Sequence, residues 1–315
     1  MIEQQGNPSE TASGHLSFAS RMASKAGIFI LNTLSRLPLS LLYFFAGFIY
    51  ILIYYVLGYR KKVVRENLKN AFPDKKPNEL KQIEKAYFRH LSRIIVEIFK
   101  MRTITPKELG ERVRFKNIDL IRAYLDQDQS IMLCSPHYGN WEWSVMALGL
   151  QVKNHIYTIY KPLNNNIFDR WFYQMRNRYG NTMVPMRNTL RAIKSSENET
   201  TIFCFANDQA PPKEESHYWV DFLNQPTSFH LGVEKIAQKT KRPVFYASMK
   251  SIRKGYYEME FIPISLHPEE ALPKEITHSY AEKLQSTLIE EPPYWLWSHK
   301  RWKHKPDPSL VQPLQ

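Results

Sequence analysis

The sequence predicts an α/β fold in which a mixed central sheet is flanked by helices, with an apolar segment near the N-terminus. Short apolar runs, typical of buried strands, alternate with longer stretches whose apolar residues recur at helical spacing. Such alternation is typical of layered α/β domains. Apolar residues make up 43% of the 315 residues, which is enough for a sizeable core. The sequence contains no internal repeat, P-loop or GxGxxG motif.

The helix and strand patterns alternate along most of the chain. Helices are predicted at residues 78–101, 117–125, 140–150, 167–179, 231–239 and 277–289. Strands are predicted at residues 130–135, 155–160, 182–185, 200–206, 244–251 and 256–263. A break containing two prolines, at residues 73–77, separates these elements from the segment that precedes them.

The apolar segment at residues 37–58 lies in a stretch without charge between Arg36 and Arg60. About 20 apolar residues are enough to cross a bilayer as a helix. We therefore predict three parts: a disordered N-terminus at residues 1–20, a membrane-anchoring segment at residues 21–60, and a cytoplasmic domain at residues 61–310. The alternatives for the apolar segment are a buried core helix and a helix in the membrane interface, where its four tyrosines would sit well.

The charges predict an orientation and a class of partner. More positive residues follow the apolar segment closely (Arg60, Lys61, Lys62, Arg65 and Lys69) than precede it (Arg21, Lys25 and Arg36). Because positive charge concentrates on the cytoplasmic side, the bulk of the chain should be cytoplasmic. The formal net charge of +13 favours anionic lipid, an acidic carrier protein or nucleic acid as partner. We do not expect nucleic acid, because the sequence contains no recognised module for it.

The sequence contains two cysteines, Cys134 and Cys204, each inside a predicted buried strand. Neither has a CxxC partner, so we expect no zinc or other metal site and a reducing compartment. A disulfide between the two is the less favoured alternative.

The motif with the clearest chemical meaning is the H-x4-E box formed by His137 and Glu142, which follows the strand predicted at residues 130–135. In open α/β folds, ligands collect at the carboxyl ends of strands. Asn140 is a good N-cap, which would place Glu142 in the first turn of the next helix. A histidine that removes a hydroxyl proton, oriented by a carboxylate, is the chemistry such a pair supplies. The structural alternative is a surface histidine beside a solvated glutamate.

Several motifs in order resemble one family. The H-x4-E box resembles the first block of the glycerolipid acyltransferase superfamily, which carries H-x4-D/E. Over most of its length the chain more closely resembles the lipid A biosynthesis acyltransferases, the late lauroyl and myristoyl transferases of Gram-negative bacteria, in a Bacteroidetes-like branch. The matching motifs are Tyr160-Lys161-Pro162, Asn166 with Asp169, Arg178 before Gly180, Asn207-Asp208-Gln209, Gly232 and the closing segment from Trp297 to Lys303. The resemblance implies a glycerolipid-acyltransferase-like fold behind a membrane-anchoring helix.

The resemblance also implies a reaction, in which a fatty acyl chain passes from acyl-carrier protein to a hydroxyl of a lipid A precursor during lipopolysaccharide biosynthesis. His137 would be the general base and Glu142 its orienting partner. Acyl-carrier protein would be the co-substrate, with no other cofactor, and the catalytic domain would face the cytoplasm at the inner membrane. Departures from the family pattern at Phe222-Leu223-Asn224 and Pro293-Tyr294 leave the acceptor open. The alternatives are an O-acyltransferase for an aminolipid or lysophospholipid, and a non-catalytic membrane-tethered binding protein.

Four further residues are expected to bind substrate: Lys161, Arg178, Asp208 and Gln209. Lys161, Arg178 or backbone N–H groups at the next helix start could donate to the oxyanion of the tetrahedral intermediate. Asp208 and Gln209 follow a predicted strand end, so they should line the same cleft as His137, or else form a turn or a cap.

Two surfaces complete the predictions. An apolar acyl channel should lie beside His137, with Trp141, Trp143 and Met146 as candidate wall residues or, alternatively, as packing of the helix onto the sheet. The basic run at residues 299–305 is expected to be a solvated face that touches lipid headgroups.

Overall fold

The computed structural model describes residues 17–314 of the chain. The α-helices of this part are α1 (Phe18–Leu34), α2 (Leu39–Ile51), α3 (Lys61–Ala71), α4 (Pro77–Lys100), α5 (Pro106–Arg112), α6 (Ile118–Leu125), α7 (Trp141–Leu148), α8 (Asn166–Arg176), α9 (Thr189–Ser195), α10 (Gly232–Thr240) and α11 (Glu275–Glu290). The strands are β1 (Val113–Phe115), β2 (Ile131–Ser135), β3 (His155–Tyr160), β4 (Asn181–Pro185), β5 (Thr201–Ala206), β6 (Trp219–Phe222), β7 (Gln225–Ser228), β8 (Val244–Arg253), β9 (Tyr256–Ser265) and β10 (Val311–Gln312).

A seven-stranded sheet in the order β1-β9-β8-β2-β5-β3-β4 forms the centre of the described chain. Strands β8, β2, β5, β3 and β4 run parallel to one another. Strand β9 is antiparallel to β8, and β1 is parallel to β9. The predicted mixed sheet flanked by helices is therefore confirmed, and the sheet is mostly parallel.

Strands β2 and β5 lie side by side in the middle of the sheet, where they are buried on both faces. Ile131 and Met132 on β2, and Ile202 and Phe203 on β5, have no exposed surface. In sequence, such strands are continuous apolar runs, so both could be predicted close to their observed bounds. Both cysteines lie buried and unpaired in these two strands. The carboxyl ends of β2 and β5 consequently emerge together at one edge of the core.

The first elements of the described chain belong to the same folded body. Helix α2 continues through a π-helical turn, Leu52–Val56, and together they are long and apolar enough to cross a membrane, with a mean hydropathy of 2.0. One face of this helix nevertheless packs against α4, burying Leu39, Leu42, Ala46 and Tyr54 in the common core. Of the residues predicted to be disordered, 1–16 lie outside the described part, while residues 18–20 are helical.

Candidate active site

The loop between β2 and α7 presents His137 at the edge of the sheet. Gly139 adopts a left-handed conformation, and a Cβ at this position would overlap the thioether of Met249. Only glycine fits such a position without strain. The Gly139 N–H donates to the carbonyl of Tyr294 at 3.0 Å, and the Asn140 side chain caps α7 by accepting from the Trp143 N–H at 2.9 Å. The loop is thus held at both sides of the turn.

The register of the central strands brings His137 to Asp208. Ser135 on β2 pairs with Ala206 on β5, and His137 and Asp208 each lie two residues further along. Oδ1 of Asp208 is 2.7 Å from Nδ1 of His137, and its Oδ2 accepts the His137 backbone N–H at 3.0 Å. The indole N–H of Trp295 donates to the same Oδ2 at 2.8 Å. These three hydrogen bonds hold the carboxylate of Asp208 against the imidazole of His137.

The electrostatics of this pair favour a proton on the imidazole. Burial lowers the pKa of His137, but the charge and hydrogen bond of Asp208, together with the charge of Glu142, raise it by more, so the net pKa is above its ordinary value. Burial raises the pKa of Asp208, but the charge of His137 and hydrogen bonds from His137 and Trp295 bring it to about 2. Because the carboxylate can only accept, the neutral form of His137 carries its proton on Nδ1 and keeps the lone pair on Nε2.

Asp208 occupies Nδ1 of His137, which leaves Nε2 as the ring nitrogen that can act on a substrate. The side chain of His137 is 21% exposed, whereas that of Asp208 is 2% exposed. The amide nitrogen of Gln209 lies 3.4 Å from Nε2, too far for a strong hydrogen bond. A hydroxyl can therefore take its place at Nε2. This arrangement is that of a general base with a buried orienting carboxylate.

The structure corrects the expected partner of His137. Glu142 lies in the first turn of α7, as its motif predicts, but its carboxylate forms a two-pronged ion pair with Arg176. Nε of Arg176 donates to Glu142 at 2.8 Å. Nδ1 of His137 is already occupied by the carboxylate of Asp208, so Glu142 does not contact that atom. Glu142 acts on His137 at longer range, since its charge helps to raise the pKa of the imidazole.

The two cationic residues expected to bind substrate lie in different settings. Arg178 donates to the carbonyls of Met101 and Ile104, so its guanidinium ties the end of α4 to the loop before β4. This is a structural position, and it does not support the predicted substrate contact. Lys161 is exposed and directly follows β3, which runs parallel to β5. Lys161 therefore leaves the sheet at the same edge as His137.

The three residues expected to line an acyl channel also lie in different surroundings. Trp143 and Met146 are buried, and the Trp143 indole donates to the carbonyl of Glu97, so both pack α7 onto the core. Trp141 is partly exposed and lies edge-on to the imidazole of His137, with ring centroids 5.4 Å apart. Among the three, only Trp141 borders the base.

A separate cavity of about 420 Å³ reaches from the apolar helix toward the site. Ile53, Leu91, Ile95 and Leu296 contribute apolar lining, and His299 lies on the polar side. Nε2 of His299 accepts the backbone N–H of the residue that follows Gln209, at 3.3 Å. The cavity thus ends next to the segment that carries Asp208 and Gln209.

The closing segment contributes more than the expected solvated basic face. Lys300, Lys303 and Lys305 are exposed, but Arg301 is buried and donates to the carbonyl of Ser228. Burial lowers the pKa of Arg301 to about 10, although the charge of Asp208 opposes this effect.

Sequence reasoning missed the role of Trp295, whose indole holds Asp208. It also missed Glu97, a fully buried carboxylate beneath the loop. The dense aromatic pattern around Trp295 is the one signal that could have pointed to a buried closing segment.

Comparison with known proteins agrees with this geometry. A family model described as bacterial lipid A biosynthesis acyltransferase matches residues 11–304. The phosphatidylinositol mannoside acyltransferase of Mycolicibacterium smegmatis is 21% identical over 214 residues, which cover 65% of this chain and 67% of that protein. The match over most of the chain, together with the geometry of His137, identifies an enzyme that transfers acyl groups to lipids. The chain belongs to the bacterial lipid A biosynthesis acyltransferase family.

Proposed function

We propose that this enzyme transfers a fatty acyl chain from acyl-carrier protein to a hydroxyl of a lipid A precursor on the cytoplasmic face of the inner membrane. The observation that carries the proposal is the partly exposed imidazole of His137, backed by the buried carboxylate of Asp208. A base in this state suits a hydroxyl acceptor, which must lose a proton as it attacks. The family match supports a lipid as that acceptor.

In the proposed reaction, Nε2 of His137 takes the proton of the acceptor hydroxyl while its oxygen attacks the thioester carbonyl. The imidazolium that forms is stabilised by Asp208, which also keeps the ring in one tautomer. The tetrahedral intermediate then collapses, the carbon–sulfur bond breaks, and the thiolate of the carrier takes the proton from His137. The products are an ester of the acceptor and the free carrier thiol.

The oxyanion of the intermediate needs a donor within reach of the reacting carbon. The amide of Gln209 lies next to Nε2 of His137, and Lys161 follows β3 at the same edge of the sheet. We assign Gln209 to the oxyanion and Lys161 to an anionic group of the substrate. Phosphate groups on the acceptor or on the arm of the carrier protein fit the lysine.

The acyl tail needs a dry place, since each buried CH₂ contributes roughly 0.8 kcal/mol. We assign the tail to the cavity of about 420 Å³, whose apolar lining is Ile53, Leu91, Ile95 and Leu296. Trp141 borders His137 and would contact the acyl chain beside the base. The basic net charge of +13 suits an acidic carrier protein as the donor.

The test is an assay with the purified full-length protein, lauroyl- or myristoyl-acyl-carrier protein as donor, and a Kdo-bearing lipid A precursor as acceptor. The expected product is the precursor with one additional ester-linked chain, detected by mass spectrometry, and its rate of formation should fall by a factor of about 10²–10⁴ with His137→Gln. Lysophospholipid, aminolipid and mannosylated phosphatidylinositol acceptors run in parallel, the last because of the mycobacterial relative. Transfer to one of these and not to the lipid A precursor would replace the proposed acceptor. Transfer to none would contradict the proposal.

A further inference from the structure

The helix formed by α2 and its π-helical turn has one apolar face that nothing covers in the described part of the chain. Its exposed residues are Leu41, Phe44, Phe45, Phe48, Ile51, Leu52, Tyr55 and Val56. Large apolar faces of this kind mark a surface that binds protein or membrane. The opposite face of the same helix packs against α4.

Both ends of this helix are fastened to the same folded body. On the N-terminal side, the amide of Asn165 donates to the hydroxyl of Ser24 at 2.9 Å, and the indole of Trp171 donates to Asn32 at 2.9 Å. These bonds join α1 to α8, in the catalytic domain. A helix that crossed a bilayer would place α1 on the far side, away from α8.

On the C-terminal side, Arg60 donates to the carbonyl of Ser298 at 3.0 Å. The amide of Asn67 donates to the carbonyl of Trp297 at 2.8 Å. These bonds join the chain after the π-helical turn to the closing segment beside the active site. The apolar helix therefore leaves the catalytic domain and returns to it.

Polar contacts also hold the helix along its length. The hydroxyl of Tyr43 donates to the fully buried carboxylate of Glu97 at 2.7 Å. Cationic side chains of the domain lie over its rings: Lys254 at 5.0 Å from Tyr43, and Arg89 at 5.2 Å from Tyr50. Crossing the bilayer in this packed state would carry these charged groups into hydrocarbon, which is strongly unfavourable.

We infer that α2 and its π-helical turn lie along the membrane surface, with the exposed apolar face in the hydrocarbon of one leaflet. The N-terminal helix α1 then lies on the same side of the membrane as His137. The inference rests on the proposed membrane location, and it names an anionic phospholipid leaflet as the partner.

The charges around the apolar face support this partner. Exposed cations flank the helix at both ends, Arg36 before it and Arg60 with Lys62 after it. A third group, Arg253 and Lys254, lies at the tip of the β8–β9 hairpin, beside Tyr43. A rim of cations around an apolar face is the pattern of helices that lie in the interface of anionic membranes.

The first experiment measures on which side of the membrane α1 lies. Single cysteines are placed by Ala19→Cys in α1 and by Asn198→Cys in the loop before β5, both exposed positions. The native Cys134 and Cys204 are buried, so the unchanged chain gives the background. Sealed inverted inner-membrane vesicles are treated with a membrane-impermeant maleimide.

The expected result is that both cysteines react without detergent. Reaction of Asn198→Cys alone, with Ala19→Cys reacting after the vesicles are opened, would show that the helix spans the membrane and would overturn the inference. A chain absent from the membrane fraction would overturn it as well.

The second experiment measures binding of the purified full-length chain to vesicles of phosphatidylethanolamine and phosphatidylglycerol. Phe48→Glu places a charge in the centre of the exposed face, and Leu190→Glu is the matched control, because Leu190 is equally an exposed apolar residue but lies on α9. We expect at least a tenfold loss of binding for Phe48→Glu and no change for Leu190→Glu. Equal binding of Phe48→Glu and the unchanged chain would contradict the inference. Neither readout requires turnover, so a failure of the proposed acyl transfer would leave both intact.

Discussion

Nδ1 of His137 lies 2.7 Å from Oδ1 of Asp208, and the backbone N–H of the same histidine donates to the other oxygen of that carboxylate. The imidazole is thereby fixed, and Nε2 is left as the ring nitrogen that can act on a substrate. We expect His137→Gln to lower kcat by a factor of about 10²–10⁴, the usual contribution of a general base. Fold and vesicle binding should persist, as checked by circular dichroism and flotation. Near-normal turnover of the variant would reject His137 as the base.

The same pair predicts the pH dependence of the reaction. His137 must be neutral to accept a proton, so kcat/KM should rise with pH through the pKa of its imidazole. Burial lowers this pKa, but Asp208 and Glu142 together raise it by more, so the midpoint should lie above the ordinary 6.5. In Asp208→Asn the carboxylate charge beside the imidazole is gone, so the effect of burial is opposed mainly by the more distant charge of Glu142. The midpoint should then move to lower pH while the plateau falls by roughly 10²-fold or more.

Measured pH–rate profiles of the two proteins decide this prediction. An unchanged midpoint in Asp208→Asn would mean that another group titrates.

The pH dependence of the free energy of unfolding provides a separate check. The raised pKa of His137 means that the protonated pair stabilises the fold below about pH 6.5, an effect lost as the pH rises through the folded-state pKa. The lowered pKa of Asp208 adds stability that is lost as the pH falls from 3.8 toward 2.

Glu142→Gln should behave differently from Asp208→Asn, because its carboxylate pairs with Arg176 rather than with the base. The pair is largely buried, with side chains 9% and 22% exposed. Removing one charge leaves the other unpaired, so we expect a loss of about 1–3 kcal/mol in the free energy of unfolding, measured by urea titration. The midpoint of the pH–rate profile should shift far less than in Asp208→Asn. A shift as large in Glu142→Gln would restore Glu142 as the orienting residue.

The elements of the core could be predicted from the sequence because each carries a strong local pattern. Strands β2 and β5 are continuous apolar runs, and α4 has apolar residues at helical spacing. Strands β1, β6, β7 and β10 have two to four residues, too few to show a period. Helices α3, α5 and α9, of seven to eleven residues, were also not predicted. Short elements like these are held mainly by tertiary packing.

The candidate site contains a contact that local sequence patterns do not predict. His137 and Glu142 form a recognisable box because they are close in sequence. The true partner of the imidazole, Asp208, comes 71 residues after it, and only the pairing of Ser135 with Ala206 brings the two together. Strand register across a parallel sheet depends on non-local contacts, so it cannot be inferred from a single sequence. The position of Asp208 at a strand end predicted that it lines the same cleft as His137, but not that it contacts the imidazole.

Beneath the loop that carries His137, Glu97 connects α2 to the start of α7. Its carboxylate accepts hydrogen bonds from Tyr43, Asn140 and Tyr257 at 2.6–2.7 Å, and it has no exposed surface. Asn140 in turn caps α7, three residues after His137. Burial raises the pKa of Glu97, while the three donors lower it, so the net pKa is above its ordinary value.

These contacts predict that Glu97 positions His137 without touching substrate. Glu97→Gln replaces one accepting oxygen with an NH₂ group that faces donors, so at least one buried hydrogen bond is lost. We expect a loss of about 1–3 kcal/mol in the free energy of unfolding and a fall in kcat with little change in KM for the acyl donor. Tyr257→Phe is the control, because it removes one donor but leaves the contact with Asn140. It should destabilise the fold by a similar or smaller amount while kcat stays within a few-fold of normal. If both variants lowered kcat only in proportion to the unfolded fraction, Glu97 would be a structural residue and no more.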